Sequence, residues 1–239
     1  MDIRKLTQNG TMMKIKVSSF TYGRLNQPGS YFDMSCAINE AYCQLHGYDY
    51  VVERLPADCQ VVRHRHENWK KVGHCRRMLN DCDYLLHIDA DAVFYSWILK
   101  IEEELIPRLV SVKANMVLGA DVQNMSHTMK KIDRVNAGVI LMKNDAQTAK
   151  MLEVWDSVSD IPEWQYTRWQ WPLEQEALEY IRAVFPGSIK PLKNFFLMNG
   201  EYGQFIRHFT IGDHDNKFLE IKAVYDSPLM QRNKALLNH

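Results

Sequence analysis

The chain lacks several features that would place it in a class at once. Neither sign of charge is in excess, with 29 Lys and Arg against 29 Asp and Glu. A partner held mainly by long-range charge, such as bulk nucleic acid or an anionic membrane, is therefore not expected, though a local patch stays open. No run approaches the ~20 apolar residues that span a bilayer. The leading MDIRKLTQNGTMMKIKV is polar and has no signal-peptide core. Cysteines are few and odd in number (Cys36, Cys43, Cys59, Cys75, Cys82), and none forms a CxxC pair. That argues against a disulfide scaffold or structural zinc and for reduced, buried thiols. Internal repeats, low-complexity runs and clear linkers are also missing. The expectation is a cytoplasmic protein with no transmembrane segment, or one of the Golgi lumen if an N-terminal anchor has been removed.

What remains is an ordinary globular composition, 46% hydrophobic and 24% charged over 239 residues, which excludes disorder as a whole-chain description. Residues 14–20 (KIKVSSF) read as a strand. From Asp33 to His46, Met34, Ala37, Ile38, Ala41, Tyr42 and Leu45 recur at helical spacing, with Gly47 as a stop. Residues 48–55 read as a second strand, so a βαβ unit is expected. Helices over 69–79 and 97–109 alternate with strands over 84–88, 116–120 and 135–142. Helices over 146–158 and 173–184 follow, then short strands, loops and a polar tail. One α/β domain is expected.

The sharpest chemical feature is His87-Ile88-Asp89-Ala90-Asp91-Ala92. In an extended segment residues i and i+2 point the same way, so both carboxylates can face one cation. Just past the carboxyl end of an α/β strand they lie where ligands bind. A hard divalent ion there, Mg²⁺ or Mn²⁺, would bridge carboxylates to a diphosphate. The plain alternative is an Asp-rich turn capping a following helix. An aspartyl phosphohydrolase also uses two aspartates one residue apart, but on its first strand, whereas this pair follows at least two earlier strands.

Further pieces stand in order along the chain: Trp69-Lys70-Lys71, HIDADAVF, Asn136-Ala137-Gly138-Val139 with Asn144, Trp155, Glu174-Gln175-Glu176-Ala177-Leu178, and Phe205-Ile206-Arg207-His208-Phe209. From about residue 14 to 213 this order resembles one retaining glycosyltransferase family. It holds the xyloglucan xylosyltransferases, galactomannan galactosyltransferases and fungal Golgi α-mannosyltransferases. Its members show W-x-K, DxDA, N-x-G, D/E-Q-x-A-L and a late H-F.

The resemblance implies a GT-A fold, a Rossmann-like α/β/α sandwich with a mixed central sheet. Within a single domain over 1–239, residues 12–95 would form the nucleotide-binding half, 96–215 the donor-sugar and acceptor half, and 216–239 a C-terminal tail. The implied reaction is metal-dependent sugar transfer from a UDP-sugar or GDP-mannose to a glycan or other hydroxyl, with retention. The metal, Mn²⁺ or Mg²⁺, would be held by Asp91 first, with Asp89 either sharing the ion or holding the ribose and His208 as the third protein ligand. Ser18 to Tyr22, after the first strand, would hold base and ribose: Phe20 or Tyr22 by stacking, Thr21 by hydrogen bonding, Ser18 beside them. Lys70 would lie near the nucleotide, and Asn136 and Gly138 would border the donor sugar. Glu174 and Gln175, opening a helix, would face the reactive carbon, where a carboxylate or amide stabilises an oxocarbenium-like transition state.

Each residue has a plainer reading: Phe20 as core, Lys70 as a solvated lysine, Asn136 as a turn residue, Glu174 as helix-start electrostatics, His208 as an ordinary half-buried histidine. Arg63-His64-Arg65-His66 reads as a solvated loop. Trp164, Tyr166, Trp169 and Trp171 are either an acceptor platform or core. Two other functions stay in view. A sugar nucleotidyltransferase would carry a Gly-rich basic signature that SSFTYGRLNQPG matches poorly, and a carbohydrate-binding relative would have lost turnover.

Overall fold

A computed structural model describes residues 12–55, 65–120, 134–168, 170, 173–192, 198, 203–210 and 213–237. β1 (Ile15–Tyr22), α1 (Tyr31–His46) and β2 (Asp49–Leu55) form the expected βαβ unit, with β1 and β2 parallel. α1 buries Ile38, Ala41 and Tyr42 and leaves Glu40 and Gln44 exposed. It stops at Gly47, whose φ of 69° lets its N–H turn back onto the carbonyls of Cys43 and Gln44. α2 (Lys70–Met78) leads to β3 (Tyr84–Ile88), parallel to β1 on its other side.

After β3 the reading and the structure differ. No helix directly follows Asp91; instead β4 (Ala92–Phe94) leaves the main sheet and pairs with a strand from late in the chain. The helix expected over 97–109 is two short pieces, α3 (Ile101–Glu104) and α4 (Ile106–Ser111). Pro107 has no N–H to donate and crowds the preceding turn, so the helix breaks at Leu105.

β5 (Met116–Ala120) and β6 (Val135–Lys143) run antiparallel to each other, and β6 is antiparallel to β3. α5 (Ala146–Ser157) and α6 (Glu174–Val184) precede β7 (Ile189–Leu192), which lies parallel to β5. The result is a six-stranded mixed sheet, β2-β1-β3-β6-β5-β7. Along β3 the side chains alternate: Leu86 and Ile88 enter the apolar layer shared with α1, while Leu85 enters the one shared with α2, α5 and α6. Helices therefore cover both faces.

β8 (Ile206–His208) is the partner of β4. The stretch read as a tail from 216 onward is helical: α7 (His214–Tyr225) and α8 (Pro228–Leu237). Asp213 caps α7 by accepting from the Asp215 and Asn216 N–H groups at 3.1 and 3.0 Å. Ile221 and Met230 anchor the pair to the core beneath α1. Few of their residues are buried, so the periodicity is too faint to show in the sequence. Cys36, Cys43, Cys75 and Cys82 are free thiols, the last three buried, while Cys59 lies outside the described residues.

Candidate active site

Two strand pairings bring the site together. β6 runs antiparallel to β3, so its first residues lie beside the end of β3, and the Asp89 N–H donates to the Gly138 carbonyl at 2.7 Å. β4 and β8 place His208 opposite Ala92, and the Phe209 N–H donates to the Asp91 carbonyl at 3.0 Å. His208 thereby reaches Asp91 across 117 positions, with Nε2 3.1 Å from Oδ1. Asp89, Asp91 and His208 each present one ligand atom, all within 4.8 Å of one another.

Gly138 makes room for the imidazole. A Cβ on it would stand 1.9 Å from His208 Cε1 and 2.5 Å from Nε2. Nδ1 of His208 is buried without a partner among the described residues. Two carboxylates and an imidazole, held by fixed backbone, suit a cation such as Mn²⁺ that accepts oxygen and nitrogen ligands.

The electrostatics keep both carboxylates ionised. Lys71 is buried and contacts Asp89 at 3.0 Å, Glu174 Oε1 at 3.0 Å and the Ala137 carbonyl at 3.0 Å. Burial alone would lower its pKa; the Asp89 and Glu174 carboxylates outweigh that and raise it, so it stays charged. For Asp89 and Asp91 burial works the other way and would raise the carboxyls. Lys71 and the His87 bond hold Asp89 down, and His208 and Lys217 hold Asp91 well below the usual carboxylate range. His87 Nε2 lies 3.3 Å from Asp89 Oδ1, and burial lowers its pKa so that it is neutral.

These groups floor a cleft of about 990 Å³, a size suited to a nucleotide-sized ligand. Phe20, Thr21 and Tyr22 line one end of it. Thr21 Oγ1 is buried without a hydrogen-bond partner among the described residues, and the Tyr22 hydroxyl donates to Asn68 Oδ1. Ser18 is not on the wall. SSFTY belongs to β1 itself, and the alternation of the strand turns the Ser18 hydroxyl inward, 3.5 Å from His87 Nδ1. Lys70 is also displaced: it is buried beneath Tyr22, its Nζ 5.8 Å from the ring centre, and neighbouring Lys71 faces the cleft instead.

Asn136, Gly138, Glu174 and Gln175 reach the cleft. Asn136 Oδ1 accepts from the Gly138 N–H, and Gln175 Oε1 accepts from the Ala137 N–H at 2.9 Å. Glu174 is almost wholly buried, and its carbonyl is pinned by Trp155 Nε1 at 2.8 Å. Lys71, His87 and Lys217 were missed. Lys71 has a sequence signal, as the third residue of W-x-K; Lys217 has none.

Arg65 is structural, bonding Asp156 and lying over the Trp69 ring at 5.3 Å, and His66 accepts from the Asn68 N–H. Arg63 and His64 lie outside the described residues, as do Trp169 and Trp171. Trp164 is half-buried and stacks with Tyr166, which is exposed.

With the geometry in place, residues 11–190 match the model of the galactosyl transferase GMA12/MNN10 family. The chain belongs to that family. It is a glycosyltransferase, which sets aside the nucleotidyltransferase alternative. Similar solved structures include a glycosyltransferase involved in glycosylation of the major capsid of PBCV-1, with 13% identity, a TM-score of 0.63, and 87% of this chain and 98% of that one covered. Another is the galactosyltransferase LgtC in complex with donor and acceptor sugar analogs, with 13% identity, a TM-score of 0.52, and 92% and 99% covered. GlyE of Streptococcus pneumoniae TIGR4 has 11% identity and a TM-score of 0.55, with 92% of this chain and 64% of that one covered. The fold of this glycosyltransferase is thus GT-A, with the mixed sheet expected, and its chemistry is glycosyl transfer from a nucleotide-sugar donor to a glycan acceptor. No curated protein sequence matches the chain. Among the described residues no helix is long and apolar enough to cross a membrane.

Proposed function

We propose that this glycosyltransferase is metal-dependent and retaining, moving a sugar from a UDP-sugar or GDP-mannose to a hydroxyl of a glycan. The observation that carries the metal reading is the convergence of Asp89, Asp91 and His208 on one point of the cleft floor. Those residues would hold Mn²⁺ or Mg²⁺; a divalent ion bound there supplies neutralisation of the charge that develops on the departing diphosphate. Phe20, Thr21 and Tyr22 would hold the base. Asn136 would meet the donor sugar, while Gly138 acts one step back by seating His208. Gln175, whose carbonyl oxygen is held by the Ala137 N–H, would present its amide to the reactive carbon. Glu174, tied to Lys71, would add negative charge close by and not touch the sugar directly. Retention rests on the likeness of the EQEAL segment to the retaining family.

Calorimetry tests the reading. UDP or GDP should bind more tightly with Mn²⁺, and most of that gain should vanish in Asp91→Ala. Equal binding in the presence of EDTA would refute it. The anomeric coupling of the product, read by NMR, tests retention: an α-linked donor should yield an α-linked product.

A further inference from the structure

The two carboxylates of the cleft floor are each matched by one lysine, and the lysines are of different kinds. Lys71, 4% exposed, divides its ammonium among Asp89, Glu174 and the Ala137 carbonyl. Lys217, 19% exposed and on the first turns of α7, contacts only Asp91 among the described residues, with Nζ 2.6 Å from Oδ2. The other oxygen, Oδ1, faces His208 Nε2. Lys217 therefore occupies the remaining oxygen of the carboxylate that would bind a divalent ion.

A divalent ion and an ammonium on one carboxylate stand within a few ångströms of each other, where like charges repel strongly at partial burial. They are alternative partners. The flexible four-carbon stem of Lys217 lets it withdraw, and withdrawal breaks a tie between α7 and the cleft floor. Asp213, His214 and Lys217 all border the cleft, so withdrawal would be felt along the start of this helix.

Resting on the reading of Asp89, Asp91 and His208 as a cation site, we propose that Lys217 is an exchangeable internal cation competing with the divalent ion for Asp91. The competition weakens uptake of the bare ion. Lys217 thus sets how much of the metal's binding must await the donor.

The test is a titration of Mn²⁺ alone, without nucleotide, into the wild type, Lys217→Met and Lys217→Arg. Lys217→Met should bind Mn²⁺ at least ~10-fold more tightly, about 1.4 kcal/mol, and Lys217→Arg should stay near the wild type. Thermal melts give a second reading. Lys217→Met should melt lower without Mn²⁺, since Asp91 loses a partner, and should gain more on its addition. Hydrogen exchange over α7 in the wild type should quicken with Mn²⁺, a reading that survives even if Lys217→Met folds poorly. Equal or weaker Mn²⁺ binding by Lys217→Met would overturn the role of Lys217 while leaving the site intact. If none of the three proteins binds Mn²⁺ even with UDP or GDP present, the cation site itself is refuted and this proposal falls with it.

Discussion

The hollow at Gly138 offers the most quantitative test of the site. In Gly138→Ala the new Cβ would stand 1.9 Å from His208 Cε1, against 3.4 Å for ordinary contact. Something must yield by about 1.5 Å, the difference between those two distances. The strand cannot yield easily, because the Gly138 N–H is held by Asn136 and its carbonyl by the Asp89 N–H. The histidine is also confined, since β8 is paired to β4 and Ile206 and Phe209 on either side are buried. The imidazole must therefore swing away from Asp91. Metal sites tolerate ligand displacements of only ~0.2 Å, so a shift of this size removes the ligand.

Overpacking of this kind costs about 1–3 kcal/mol of stability. Losing one ligand should weaken Mn²⁺-supported UDP or GDP binding by at least ~10-fold, or about 1.4 kcal/mol. His208→Ala alone should cost a similar factor in binding with less loss of stability, because it leaves a gap and no clash. The double variant should recover stability toward the His208→Ala level without recovering binding, since the alanine then fills the space the ring vacated. Calorimetry and urea melts on the four proteins decide the matter. A Gly138→Ala protein with the wild type's Mn²⁺-supported binding and stability would refute the reasoning.

Further outcomes follow from the same network. Lys71→Met strands the Asp89 and Glu174 carboxylates and should cost about 3–5 kcal/mol in urea melts, whereas Lys70→Met removes a buried ammonium that has no hydrogen-bond partner among the described residues and should change stability by less than ~1 kcal/mol; equal costs would refute the assignment of Lys71. Burial, which outweighs the opposing Glu53 carboxylate 2.6 Å from Nδ1, lowers His74 from 6.5 to about 4. Because its folded pKa lies below its unfolded one, its contribution is whole above about pH 6.5 and is lost as pH falls toward 4, on the order of 3 kcal/mol in all. Stability should fall over that range, and less steeply in His74→Gln; an unchanged slope would assign the fall to other groups. Ser18→Ala should leave nucleotide binding within ~2-fold of the wild type, since its hydroxyl faces His87; a 10-fold loss would restore a base-contacting role.

How far the sequence could be read depended on how local each signal was. Strand β3 and the aspartates just past it were legible, because YLLHI is short, largely apolar and followed at once by two acids one residue apart. The helices α1, α5 and α6 were legible from periodicity. Ser18 lay within the run read as a strand, but the run alone does not say which face its hydroxyl takes; only the pairing with β3 turns it toward His87. The end of the strand was read two residues early, since β1 pairs with β2 through Tyr22 and Leu55. Lys70 and Lys71 cannot be separated by composition, and only the turn of α2 decides which faces the cleft. His208 was found by its order among motifs, but its contact with Gly138 depends on β8 meeting β4 and β6 meeting β3, two long-range pairings that no local pattern encodes. Lys217 was invisible because α7 buries so little of its surface.

The asymmetry between Asp89 and Asp91 follows from this topology. Asp89 leaves β3 where the sheet is flanked by α2 and β6, so its partners come from elements that cannot retreat: Lys71, itself fixed by Glu174 and the Ala137 carbonyl, and His87 two residues before it. Asp91 sits two residues further out, beyond the main sheet, where its partners come from β8 and α7. A carboxylate saturated by a buried lysine is a stiff part of the floor, and its negative charge is largely spent on that lysine. A carboxylate paired with a lysine that is 19% exposed, with a flexible stem on a surface helix, is the less fixed of the two. The two acids of the DxD, identical in sequence terms, are therefore unequal in kind. On the proposed reading of a cation site, both would be ligands, Asp91 the one whose lysine partner can exchange with the ion and Asp89 the one held in place by Lys71 and His87.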